Sequence, residues 1–354
     1  MIYFQNMKLS GITVLITILC FSILTSCDSQ KRQEERYLLK LHSSLENTAD
    51  YEKNYITITQ IQNILHQQGK DDELRAMLTE YADRHPQDPF NACYLFIAGK
   101  NHMDSGDETA ALRYFSRILD TCQDVQYKGE SIRFMCLRTI LSHSPDLEKQ
   151  AFCCRQLIEE FSSKINTGSM YFRLGEIYSA AEDWDNAASA YANFLNSSDA
   201  MISDNDIEYA RNFTAYYSND ITWADKDLDN LLKNISEALV NAGRTRSTKE
   251  LRKYMTKANF FMTSWEDMAT SSEIIAADRL GSFLNSKILV SSHIDKLSNS
   301  QEAYLKTEGW EYRINTWYLY FRKIKFPADP EKDGCWEWAG IYFGDRVYSK
   351  SNEY

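Results

Sequence analysis

The chain reads as mainly α: a helical solenoid of repeated two-helix units, followed by a small β-rich module at its C-terminal end. Three observations predict it. Glycine and proline number only 13 and 5 in 354 residues, against roughly 7% and 5% in ordinary globular chains, and chains poor in both breakers sustain helices. A pattern of small and aromatic residues around Gly99 recurs around Gly175, 76 residues later, which is two periods of 38; self-similarity on that scale marks stacked helical repeats. Between residues 301 and 354, 14 of 54 positions are aromatic, twice the 13% of the whole chain, and β-branched neighbours accompany them. That texture belongs to strands.

Charge narrows the function classes. Lys plus Arg total 39 and Asp plus Glu total 50, a net of −11. A general phosphate-backbone binder needs basic groups that displace counterions, so nucleic acid is not an expected partner. With 44% apolar residues the chain can bury a core and is not a wholly disordered protein.

The elements follow in order. Lys8 is the only charged residue among the first 26, and Leu9 to Ile23 is apolar apart from Ser and Thr. About 15 residues is short for a membrane span, which needs roughly 20, and suits a signal-peptide core. Leu24-Thr25-Ser26-Cys27 then places an aliphatic and two small residues before a cysteine. This order resembles the lipobox of bacterial lipoproteins. The resemblance implies a signal peptide over 1–26, cleavage before Cys27, and diacylglycerol on its thiol. It also implies a lipid-anchored, periplasm-facing place in the bacterial cell envelope. The charged stretch that follows, within 27–50, reads as a tether lifting a folded body off the bilayer.

Repeats occupy 51–203. Tyr171, Leu174 and Tyr178 recur every three or four residues on one helix face. Gly175 removes the side chain that would hold a partner helix away, and Ala187 and Tyr191 fit against it from a second helix. Leu95, Ala98, Gly99, His102, Ala111 and Phe115 repeat the spacing, with Gly106-Asp107 at the turn. Between these units Glu130 to Leu141 reads as a first helix, and Ser144-Pro145 as the cap and first turn of a second. An earlier unit runs from Tyr55 through Gly69 to Tyr81 and ends at His85-Pro86. The pattern of the units around Gly99 and Gly175 resembles the tetratricopeptide repeat.

Residues 204–268 continue as capping helices: Ile207 to Tyr217, Trp223 to Val240, and one opened by the Ser247…Glu250 spacing of a capping box. Residues 269–354 form the β-rich aromatic module. Trp317, Trp336 and Trp338 are candidate ligand aromatics if they stand exposed as a sugar-stacking platform; buried, they fill a core.

No nucleotide-binding glycine motif, zinc-protease motif, nucleophile elbow or C-x-x-C occurs. Asp329-Pro-Glu331-Lys-Asp333-Gly334 has the start of a calcium loop but Gly340 at its twelfth position, where a bidentate glutamate belongs. The expectation is a protein with no catalytic residues, no cofactor and no metal. Cys93, Cys122, Cys136, Cys153, Cys154 and Cys335 follow the anchor cysteine, with free, buried thiols slightly favoured over pairing. The tetratricopeptide resemblance implies a groove, lined by the first helices, that takes a protein or peptide. On this chain its positions fall at Phe96, Lys100, Met103 and Asp104, and at Phe172, Glu176 and Ser179. The expected function is therefore an anchored, non-catalytic interaction scaffold. Ligand capture by the groove or the C-terminal aromatics is the alternative.

Overall fold

The computed structural model describes residues 32–45, 50–198, 202–265 and 277–344. The expectations for the signal peptide and Cys27 lie outside these residues. The chain divides into two compact units, the first ending at Leu157 and the second starting at Ile158.

The first unit is helical. Helix α1 covers 32–45, so most of the stretch expected to be a tether is folded instead. Its Leu38, Leu41 and Leu45 are buried, a spacing of three and four that gives one apolar face. Polar contacts fix it to the next helix: Tyr37 donates to Gln60 at 3.1 Å and Gln68 to Glu34 at 3.2 Å. Helices α2 (Tyr51–Gln67) and α3 (Asp71–Arg84) form the first hairpin. Asp50 caps α2 by accepting from the Lys53 amide, and Gly69 turns the chain with φ +66°.

Helices α4 (Asn91–Asp104) and α5 (Glu108–Thr121) come next. Gly106 takes φ +85° between them and Asp107 caps α5. A methyl group placed on Gly99 would lie 2.8 Å from the Phe115 ring, so the close helix approach anticipated from the glycine is real. Helices α6 (Ile132–His143) and α7 (Leu147–Phe161) complete the series. Two expectations need correction. The stretch before α6 is a β-hairpin, β1 (Gln126–Tyr127) and β2 (Glu130–Ser131). Lys128 and Gly129 both have positive φ there, as a tight two-residue hairpin turn requires. The cap of α7 is Asp146, whose carboxylate accepts from the Glu148 and Lys149 amides, while Ser144 accepts from Asp146 itself.

The second unit combines helices with a sheet. Helices α8 (Thr167–Ala180) and α9 (Trp184–Leu195) repeat the close approach: a methyl on Gly175 would lie 2.6 Å from the Tyr191 ring. Helix α10 (Asp204–Tyr217) packs on α9. Helix α11 runs Leu228–Thr245, five residues later than expected at its start, because Asp227 caps it and Trp223 lies buried in the loop before it. In place of the helix expected after Ser247, a short 3-10 turn covers Leu251–Lys253. The sheet then begins earlier than the expected boundary, with β3 at Phe261–Ser264.

Strands β4 (Leu289–Val290), β5 (Glu302–Glu308), β6 (Trp317–Lys323) and β7 (Trp336–Phe343) join it in the order β3-β7-β6-β5-β4. Only the β3–β7 pair is parallel. One core of the sheet unites Trp317, Leu319, Trp338 and Ile341 with Leu231, Ile235 and Leu239 of α11. A second core joins Phe194, Phe213 and Tyr216 of the helices to Phe326 and Cys335. Between them sits Glu337, fully buried. It accepts from Tyr216 at 2.5 Å, from the Trp223 indole at 2.8 Å and from Arg322 Nε at 2.9 Å. Arg322 also reaches Glu208, Asn212 and the Ala258 carbonyl.

Candidate partner-binding groove

Phe96, Lys100, Met103 and Asp104 lie along α4, one helical turn apart, so the helix presents them to one side. The structure brings all four together along a groove of about 580 Å³ within the first unit. Its facing wall is α6, through Phe134, Met135 and Arg138, and its end is the β1–β2 hairpin, through Tyr127 and Lys128. The hairpin holds this end in place with a local device. Asp124 accepts from the Ser131 hydroxyl at 2.7 Å and from the Arg133 amide at 2.9 Å, while Ser131 caps α6.

The floor is aromatic. Phe96 is mostly buried, with its ring centroid 5.7 Å from Phe115 and 5.8 Å from Tyr127. The rim is charged. The Arg138 guanidinium lies 5.6 Å from the Phe134 ring centroid and the Lys128 ammonium 5.3 Å from that of Tyr127. These are cation–π distances that leave the charges open to a ligand. Lys100, Lys128 and Arg138 have no ion-pair partner among the described residues, nor have Asp104 and Glu130. Apolar floor and uncompensated rim together suit a peptide segment that offers an apolar side chain between charged ones.

Phe134 and Arg138 were missed by the motif reading, although its own period finds them. Adding 38 to Phe96 and Lys100 gives Phe134 and Arg138, and a further 38 gives Phe172 and Glu176. The hairpin was missed because its second strand, Glu130–Ser131, stood inside the helix expected over Glu130 to Leu141.

The second set of positions behaves differently. Phe172 is buried in the second unit, with Tyr191 and Phe194 at 5.6 and 5.2 Å. Ser179 shares a hydrogen bond of 3.3 Å with the Tyr191 hydroxyl. Only Glu176 of the three is exposed; partial desolvation and then the nearby Asp206 raise its carboxyl above the usual range. Phe172, about as buried as Phe96, packs into the core of the second unit.

The tryptophan platform is also corrected. Trp317 and Trp338 are fully buried and Trp336 nearly so. Trp317 stacks on Trp310 at 4.3 Å and donates to the Ile314 carbonyl, and Trp338 donates to Gly340. Their rings are occupied by the protein and offer no face to a sugar. In the acidic turn, Asp329 and Asp333 accept from the Glu331 and Phe326 amides, so its carboxylates serve the turn itself. The six cysteines from Cys93 onward are free thiols, five of them buried; Cys153 and Cys154 are both buried despite being adjacent.

A tetratricopeptide repeat family model matches residues 171–200, which take in most of α8 and all of α9. No curated protein matches the chain. The repeats are of a kind that generally binds protein partners.

Proposed function

We propose that the protein is a membrane-anchored scaffold of the bacterial cell envelope that holds a protein or peptide in the α4–α6 groove and performs no catalysis of its own. The observation that carries the reading is the convergence of Phe96, Lys100, Met103 and Asp104 on one groove with Phe134 and Arg138 opposite. Two first helices of successive hairpins supply equivalent residues there, as expected of a repeat surface used for recognition. The anchor rests on sequence alone: Lys8, the short apolar run and Leu24-Thr25-Ser26-Cys27 stand in the order of a lipoprotein signal.

The test is site-specific photocrosslinking on membranes of the source cell, with the reactive group at Met103 in the groove or at Asp72, 93% exposed on α3. A discrete adduct is expected from Met103 and not from Asp72. Lys100→Glu/Arg138→Glu should reduce its yield at least tenfold while leaving the circular dichroism unchanged, because both side chains are exposed. Equal adducts from both positions, or an adduct indifferent to the charge reversal, would remove the groove assignment. For the anchor, Cys27→Ala is expected to move the protein from the membrane to the soluble fraction.

A further inference from the structure

Helix α1 turns one face inward and leaves the opposite one exposed. Leu38, Leu41 and Leu45 are buried, and Glu34 is half-buried beside them, bonded to Gln68. At 100° per residue, the direction opposite this face falls on Arg32, Arg36, Leu39 and Ser43, with Lys40 and Glu35 on its flanks. All six are exposed, Leu39 at 70%. Three cations against one anion collect here in a chain whose net charge is −11. An exposed leucine set between basic residues on one helical face is the pattern of a helix lying on a lipid surface.

Chain length adds a second argument, which rests on the lipid anchor of the proposed function. Five peptide units separate Cys27 from Arg32. Fully extended they reach about 17 Å, at roughly 3.3–3.6 Å per residue. A long tether would let α1 stand away from the bilayer; five peptide units keep Arg32 within that distance whatever their conformation.

We propose that the Arg32–Arg36–Leu39–Lys40 face of α1 is a docking surface for anionic phospholipid, seating the first unit on the membrane beside its anchor. The cations attract the headgroups and Leu39 enters the interface between them.

The proposal is tested with the full mature chain carrying Cys27→Ser, so that no lipid is attached. Flotation is measured with vesicles of equal parts phosphatidylglycerol and phosphatidylcholine, and with phosphatidylcholine alone. Preferential binding to the anionic vesicles at low salt, lost at high salt, is expected. Arg36→Gln/Lys40→Gln should lower that partition about 30-fold, from about one charge-equivalent of attraction for each cation removed. Arg36→Lys/Lys40→Arg should preserve it, and Leu39→Ser should weaken it without changing its salt dependence. Equal partition into both vesicle types, no partition at all, or identical behaviour of wild type and the Gln variant would overturn the proposal. So would a wild-type dimer in light scattering that the Gln variant dissolves, which would give the face to a second copy. Mass spectrometry of the mature N-terminus from native membranes tests the anchor separately. An unlipidated Cys27 with vesicle binding intact would remove the anchor and keep the face; a lipidated Cys27 without vesicle binding would do the reverse.

Discussion

Single residues carry the repeat. The missing side chain at Gly175 is filled by Tyr191, and that at Gly99 by Phe115, each 16 residues later. Gly175→Ala would push a methyl group to 2.6 Å from the ring, an overpacking that typically costs about 1–3 kcal/mol. Urea denaturation of the second unit should show that loss, and Gly175→Ala/Tyr191→Leu should recover part of it. These positions were legible because glycine and its filling ring belong to one local pattern. The thiols are a residue-scale prediction as well. Burial pushes Cys93 and Cys153 up to about 11 and Cys136 higher still. A thiolate is the reactive form, so at pH 8 these three remain protonated and inert. Iodoacetamide on the native protein should therefore label Cys122, the one half-exposed thiol among the described residues, well before them. Mass spectrometry of the digested adduct checks the order, and labelling of Cys136 first would contradict the described burial.

At the scale of elements, a strand or helix was legible when its partner was close in sequence. Helices α8 and α9 face each other across a three-residue turn, and their pattern is complete within 30 residues. Strand β3 was hidden because what makes it a strand is β7, with Phe261 opposite Gly340. Helix α1 was hidden by its own exterior: Leu38, Leu41 and Leu45 have helical spacing, but the charged residues before them, Arg32, Glu34, Glu35 and Arg36, read as a tether. The β1–β2 hairpin gives the groove its end wall. Tyr127→Ala should leave stability within about 1 kcal/mol, as for a half-exposed side chain, while opening the groove and changing partner affinity; calorimetry with the crosslinked partner peptide checks this. Glu337 binds α10 and the loop before α11 to the sheet. Glu337→Gln should cost about 3–5 kcal/mol, because a buried guanidinium loses the charge of its one fully buried carboxylate partner. Glu337→Gln/Arg322→Met should be less destabilised than the sum of its single variants, and a double-mutant cycle in urea reads the coupling.

Over the whole molecule, the two units differ in what makes each complete. The first is built from hairpins of neighbouring sequence, and its boundaries are matters of local pattern. The second closes only when its last strand arrives: β7 lies between β3 and β6, and its Glu337 receives bonds from residues 216 and 223. A chain stopped at Cys335 is therefore expected to lose the second unit's protection from hydrogen exchange throughout, while α2 to α6 keep theirs. Uniform loss in both units would contradict that division. The first unit also bears on how its hairpins are inherited, through the glycine and ring described above. Where α4 and α5 set Gly99 against Phe115, the next pair has Leu137 and Cys153 at the same spacing, both buried. The bulk has moved from the second helix to the first. A lone α6 copied into the place of α4 would bring Leu137 onto Phe115, two large groups where there is room for one. Recombination among these repeats can thus succeed only by exchanging helix pairs, and the hairpin, not the helix, is the unit on which duplication acts.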